Sequence, residues 1–279
     1  MIGKFYKYQA LGNDMIVIDP ATFGTILKPE SIKHLCQRHF GIGADGICFG
    51  PLVDNDTPPH TMRFFNPDGS EAEKSGNGLR VFARYLWDLG YVSRASFQIR
   101  MNDEIIKVKV LDDIGRRMAI SMGHLSFKSQ DIQLMGESRE VVGEVLTIEE
   151  EQWRITAVSV GNPHCIIFSD DLTQIHQLGP CIESAPQFLQ RTNVQVVRVL
   201  DEHSIQIAIW ERGAGHTLAS GTSATATAGA AIRHGFCRSP VSVKMEGGTA
   251  EVTIDETWQA TLIGEVSAVY QGIVSSDLL

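Results

Sequence analysis

The stretch GTSATATAGAAIRHG, residues 221–235, constrains the fold more than any other part of the chain. It reads as a helix, yet it carries nothing larger than threonine before Ile232. Such a helix cannot cover one face of a core by itself, because its side chains bury too little apolar surface. It is stable only where other elements crowd it from all sides. Ser220 stands at its mouth and Gly235 supplies a stop. A second segment, SGNGLRVFARYLWDLG over 75–90, opens the same way. Ser75 precedes Gly-Asn-Gly, Leu79, Phe82, Ala83 and Leu86 follow at helical spacing, and Gly90 closes it. From local sequence alone, both serines also read as ordinary N-caps.

Most of the remaining chain alternates apolar and polar residues over five to eight positions, the pattern of half-buried strands. KFYKY, MIVID, TMRFF, SFQIR, IIKVKVL and RRMAISM carry it in the first half. REVVGEVLTI, WRITAVSV, CIIFS, NVQVVRVL, SIQIAIW, VSVKMEG, AEVTI, WQATLIG and VSAVYQG carry it in the second. KPESIKHLCQRHF predicts a further helix with Ile32, Leu35, Cys36 and His39 on one face, and LTQIHQLGP and IESAPQFL are two weaker helical candidates. A faint internal repeat runs through this order. Gly12-Asn13 lies 62 residues before Ser75, and Gly161-Asn162 lies 58 before Ser220, counted from each asparagine. Each half reads as strand, Gly-Asn turn, more strands, then Ser-Gly and a helix, so two similar helix mouths are expected across one cleft.

A length of 279 residues suits two domains. A net charge of −9 without Lys/Arg clusters gives no footprint for nucleic acid or an anionic membrane surface. No apolar run has the ~18–20 residues that span a bilayer. MIGKFYKYQALGND lacks the basic-then-apolar pattern of a secretion signal. The cysteines (Cys36, Cys48, Cys165, Cys181 and Cys237) include no closely spaced pair, which predicts reduced thiols in a cytoplasmic protein. Neither a Gly-rich dinucleotide fingerprint nor a Walker motif is present, and His spacing suits no metal, so no cofactor and no metal are expected.

Helix mouths offer backbone N–H groups and a positive dipole end, and glycine lets the backbone approach a ligand. Two mouths facing one another would hold a carboxylate or phosphate, with Ser75 and Ser220 on opposite faces of it. FFNPDGSEAE (64–73) and VGNPHC (160–165) are polar turns leading into this region. In WERGAGHT (210–217), Arg212 is suited to a carboxylate and Glu211 to an amine, although adjacent opposite charges at a strand end also read as solvated surface groups. His164 and His216 read as structural.

Taken in order, ALGNDMIVID, RHFGIGADGI, FNPDGSEAEKSGNGLRVFARYL, VSVGNPHC, RTNVQVV and WERGAGHTLASGTSA resemble the diaminopimelate epimerase family over essentially the whole chain. The resemblance implies an α/β (α+β) fold of two pseudo-symmetric domains, each a curved mixed β-sheet around a central helix, over 1–118 plus 264–279 and over 119–263. It implies a pyridoxal-phosphate-independent amino-acid epimerase of lysine biosynthesis, acting on a small amino-acid substrate (LL- to meso-diaminopimelate) and assembled as a homodimer. Carried over by position, the substrate contacts fall on Asn13, Asn66, Asn162, Asn193, Glu211 and Arg212. The amides of Gly76, Asn77, Gly221 and Thr222 would grip the α-carboxylate. The catalytic pair falls on Ser75 and Ser220, where the family has cysteine. Two smaller departures are Gly46, where some members place glutamine, and His216, where glutamate is common.

The serine pair changes the chemistry. A thiol near pKa 8.5 is readily ionised at a helix mouth, whereas a serine hydroxyl has essentially no anion at neutral pH and must borrow a base. Glu73, His164 and His216 are the candidates for that base. Loss of one general base costs roughly 10²–10⁴ in rate. The sequence leaves four readings open. The serines are activated for epimerisation; or a related isomerase or dehydratase uses the scaffold on another amino acid; or the chain binds amino acids without turnover; or the cysteines were exchanged for serine by design.

Overall fold

A computed structural model describes residues 3–24, 27–52, 59–72, 75–148 and 150–278. The chain forms two compact units, one of residues 1–120 with 263–279 and one of residues 121–262.

In the second unit, the small-residue segment forms the helix Gly221–Arg233, and every residue from Gly221 to Ala231 is buried. The strands Glu151–Ser159, Pro163–Phe168, Asn193–Asp201, Ser204–Glu211, Val241–Met245 and Gly248–Ile254 pack around it. Small side chains are what allow strands to approach from so many directions. The buried threonines turn their hydroxyls onto the helix itself: Thr225 Oγ1 donates to the Gly221 carbonyl and Thr227 Oγ1 to that of Ser223, both at 2.8 Å. Gly235, at φ +72°, lets the Phe236 amide return to the Ala231 carbonyl and ends the helix.

The first unit is built likewise around Gly76–Asp88. Gly76 through Ala83, Tyr85 and Leu86 are buried, and Gly90 follows at φ +74°. This helix packs on the strands Lys4–Ala10, Asn13–Ile18 and Ile47–Leu52. Strand order shows the pseudo-symmetry. In the first unit Lys4–Ala10 pairs antiparallel with Asn13–Ile18, which runs parallel to Ile47–Leu52. Ile47–Leu52 pairs antiparallel with His60–Phe65, and after the central helix Ser96–Met101 lies parallel to His60–Phe65 and antiparallel to Glu104–Val110. In the second unit the same succession runs through Glu151–Ser159, Pro163–Phe168, Asn193–Asp201, Ser204–Glu211, Val241–Met245 and Gly248–Ile254, with the same alternation of antiparallel and parallel pairs. Gly12 and Gly161, at φ +81° and +91°, turn the corresponding first hairpins. Each unit is therefore a mixed sheet around one helix.

The opposite face of each sheet is covered by a second helix. Ala157, Cys165, Ile167, Val194 and Val196 join Ile175, Leu178 and Ile182 in one apolar cluster, while Gln195, between two of those valines, points to the central helix and reaches Ser223 Oγ at 3.0 Å. Ile16, Ile18 and Ile47 join Ile32, Leu35 and Cys36 in the corresponding cluster of the first unit.

Three local readings change. The helix predicted from residue 28 ends at Cys36, because the chain folds back and the amides of Ile42, Gly43 and Ala44 cap the Leu35 and Cys36 carbonyls; His39 lies beyond it, exposed. Of the two weak helical candidates, the first yields a 3-10 turn, Leu172–Gln174, and the helix Ile175–Glu183, which continues through Pro180 because Ile175, Leu178, Gly179 and Ile182 are buried, while the second is turn beyond Glu183. A Cβ on Gly179 would lie 2.5 Å from the Trp210 ring, so this helix sits flush on its strand. In REVVGEVLTI the strand starts only at Glu144, after Gly143 at φ +64°.

Because Ala228 is fully buried and leucine keeps helix propensity, Ala228→Leu isolates the packing constraint. It should cost about 1–3 kcal/mol in urea denaturation, with the midpoint lowered and the slope unchanged.

Candidate active site

At the first mouth, Ser75 is the N-cap: its Oγ accepts the Gly78 amide at 3.0 Å. A helix supplies no acceptor of its own to its first-turn amides, so those of Gly76 and Asn77 are directed out of the N-terminal end. Glycine at 78 is required, since a Cβ there would meet the Phe64 ring at 2.7 Å. The same ring explains Gly46, where a Cβ would lie 2.4 Å from Phe64 Cζ, so a glutamine has no room. The Asn13 and Asn77 side chains meet here, Asn77 Nδ2 donating to Asn13 Oδ1 at 3.2 Å. Asn13 Nδ2 in turn donates to Asp45 Oδ2 at 3.1 Å.

Asp45 belongs to a charged cluster behind Asn13. Arg38 Nη2 lies 2.6 Å from both Asp14 and Asp45, Lys7 Nζ lies 2.6 Å from Asp14, and Lys7 also donates to the Gly43 carbonyl. Burial raises the Asp14 carboxyl, but hydrogen bonds from Arg38 and Lys7 outweigh it and hold Asp14 well below the ordinary carboxylate range. Asn66 sits in the Asn66–Ser70 turn, its Nδ2 donating to Ser70 Oγ at 3.0 Å. Glu73 lies outside the described residues.

At the second mouth, Ser220 is again the N-cap. Its buried Oγ accepts the Ser223 amide at 3.4 Å and lies 3.3 Å from Thr222 Oγ1. Gly221 and Thr222 occupy the first turn, as Gly76 and Asn77 do in the first unit. Asn162 Oδ1 lies 3.0 Å from His164 Nε2, and His164 Nδ1 lies 3.2 Å from Gln195 Oε1. Asn162 is thus joined through His164 and Gln195 to Ser223, in the first turn of the helix. Asn193 connects two chain segments: its Nδ2 donates to the Pro163 carbonyl at 2.8 Å, and its Oδ1 accepts the Arg212 amide at 3.0 Å. Arg212 Nη1 donates to the Gln190 carbonyl at 3.1 Å, and Glu211 accepts from Thr217 Oγ1 at 2.7 Å.

Sequence reasoning missed the residues that hold these contacts in place. Glu183 is buried at the end of its helix, and its carboxylate accepts from Trp210 Nε1, the Gly213 amide and Arg191 at 2.8, 2.7 and 2.5 Å. It therefore brackets Glu211–Arg212 on both sides. Asp45 and Gln195 do the same for Asn13 and, through His164, for Asn162. Each is a single polar residue whose partner lies about thirty positions away in sequence, and only the fold brings the two together.

Burial decides the state of His164 and of four of the thiols. Burial pushes His164 down to about 3, and the charge of Arg212 adds to that shift, so the ring is neutral. His216 bonds Glu246 Oε1 at 3.1 Å, and its ring lies tilted against that of His176, with centroids 5.1 Å apart. The cysteines are free; burial pushes Cys36 up to about 12 and raises Cys48, Cys165 and Cys237 as well. Cys48 lies under the first central helix and donates to the Gly78 carbonyl at 3.5 Å. Among the described residues, no three His, Cys, Asp or Glu side chains gather as metal ligands.

This is the fold of racemases and related isomerases. A probable proline racemase from Agrobacterium radiobacter superposes with a TM-score of 0.72 at 11% identity, covering 99% of this chain and 93% of that one. A PhzF-family phenazine biosynthesis protein from Bacillus anthracis gives 0.71 at 16% identity, covering 99% of both chains. In sequence, the diaminopimelate epimerase family model matches residues 5–128 and 156–269. Diaminopimelate epimerase 2 of a Nostoc species is 46% identical over 99% of this chain and 96% of its own length. The diaminopimelate epimerase of Desulfitobacterium hafniense is 35% identical over 99% of each. The chain belongs to the diaminopimelate epimerase family, and it is an isomerase of the amino-acid epimerase type.

His164 gives a pH test of the second unit. Its folded pKa lies below its unfolded value, so the unfolded chain binds the extra proton and stability falls as pH drops from about 6.5 toward 3. Between pH 7 and pH 5 this group should remove roughly 2 kcal/mol, and His164→Gln should flatten that part of the profile in urea titrations at the two pH values.

Proposed function

We propose that this chain interconverts LL- and meso-diaminopimelate by removing and returning the α-proton without a cofactor. The reading is carried by one observation: the same polar assembly, a Gly-Asn turn and a Ser-capped helix mouth, recurs at the same step of two like-folded units. The amides of Gly76, Asn77, Gly221 and Thr222 bind the α-carboxylate that activates the carbon. Asn13, Asn66, Asn162 and Asn193, with Glu211 and Arg212, recognise the amino groups and the distal carboxylate. Ser75 and Ser220 hold the two proton-transfer positions. A homodimer and a cytoplasmic setting belong to the same reading, and light scattering of the purified protein checks the assembly.

The hydroxyls make the protein a slow catalyst. Each Oγ accepts an amide N–H, which favours an alkoxide, but a serine also needs a group to take its proton. The two histidines weighed for that task are engaged elsewhere, His164 with Asn162 and Gln195 and His216 with Glu246. His164 is moreover too weak a base, having been pushed down to about 3 by burial.

Solvent deuterium exchange at the α-carbon of diaminopimelate is the test. The natural chain should exchange slowly while binding the ligand in calorimetry. Ser75→Cys with Ser220→Cys should raise exchange by about 10²–10⁴ per restored base. Fast exchange by the unmodified chain overturns the claim that the hydroxyls slow it, and a double-cysteine variant that neither binds nor exchanges diaminopimelate sinks the substrate.

A further inference from the structure

Arg80 has no place in the chemistry described so far, yet it is fully buried in the helix that opens at Ser75. Its side chain leans back toward the N-terminal turn, as long helical side chains do. Nη2 donates to Asn77 Oδ1 at 2.5 Å and Nη1 lies 3.5 Å from the Gly76 carbonyl. Nε has no hydrogen-bond partner among the described residues. Space for the guanidinium is left by Gly264, where a Cβ would lie 3.0 Å from Nε.

No carboxylate among the described residues pairs with this charge. The acids beyond Asn13 are already matched, Asp14 with Lys7 and Arg38 and Asp45 with Arg38. Nor does the helix compensate it. The N-terminal end is itself positive, so dipole and guanidinium add at the Gly76–Asn77 turn. A buried charge with only neutral acceptors is costly, and a leucine or methionine would fill the space without that cost. Two positive sources directed at one turn suit that mouth to an anion.

We propose that Arg80 is a positioning residue that makes the first helix mouth an anchor for the substrate carboxylate. Arginine only donates, so it fixes Asn77 with its oxygen toward Arg80 and its NH2 toward Asn13. Asp45 anchors the other end as an acceptor of the Asn13 NH2, which leaves both asparagine amides one orientation. The guanidinium acts from beneath this chain and does not touch the reacting atoms. The proposal rests on the amino-acid reading above and adds the source of the carboxylate affinity.

Arg80→Gln removes the charge while keeping a donor for Asn77, and Arg80→Lys keeps the charge. Calorimetry with meso-diaminopimelate and urea denaturation without ligand are measured on the natural chain and both variants. Arg80→Gln should bind at least tenfold more weakly yet resist urea as well as or better than the natural chain, since an uncompensated buried charge has gone. Arg80→Lys should recover most of the affinity. If Arg80→Gln binds as tightly as the natural chain, the proposal is overturned and the amino-acid reading stands. If Arg80→Gln loses stability or fails to fold, or Arg80→Lys recovers no affinity, Arg80 is structural and the proposal is likewise overturned. A natural chain that binds no diaminopimelate overturns the functional reading and this one with it.

Discussion

An enclosed helix must satisfy its first-turn amides without bulk water, and both central helices of this protein face that constraint. Each solves part of it with a serine cap: Ser75 takes the Gly78 amide and Ser220 that of Ser223. The cap closes one donor, and the first turn still points its positive dipole end out of the mouth. A sheet wrapped around a helix therefore carries an anion-binding end as a by-product of its own architecture. The same geometry dictates small residues at the mouth, since Gly78 lies against Phe64 and the whole run Gly221–Ala231 is covered.

Around each mouth, polar side chains are held by residues that never meet a ligand in the proposed chemistry. Asp45 and Arg80 fix the Asn13 and Asn77 amides from opposite ends. Glu183 pins Trp210 and Gly213 on either side of Glu211–Arg212, and Gln195 holds His164 against Asn162. Such groups gain their value from being fully bonded in a dry environment, where a missing partner is expensive. Preorganisation of this kind serves binding whether the group at the proton-transfer position is sulfur or oxygen. The serine pair therefore separates two properties that a thiol pair would combine, the hold on a zwitterion and the rate of proton transfer.

Much of the fold was legible before any coordinates. Residues 221–235 announced an enclosed helix by their size alone, and Leu79, Phe82, Ala83 and Leu86 announced its counterpart by their spacing. The two Gly-Asn turns and two Ser-Gly mouths marked a repeat, which the strand pairings of both units follow. What failed were boundaries set by non-local contacts. His39 fits the apolar face of its predicted helix, but the returning Ile42–Ala44 segment claims the last carbonyls and ends the helix at Cys36. LTQIHQLGP and IESAPQFL read as two separate weak helices, but burial of Leu178 and Ile182 carries one helix across Pro180 to Glu183.

By itself, the sequence determined the family, the paired units and the residues at the two helix mouths, because periodicity, side-chain size and capping residues act over a few positions of chain. Only the tertiary structure decided which polar groups hold them: that His164 is neutral between Asn162 and Gln195, that Glu183 braces the Glu211–Arg212 turn, and that Arg80 lies buried with no acid paired to it among the described residues. Those outcomes depend on burial and on partners distant in sequence, and no local pattern encodes a dielectric environment.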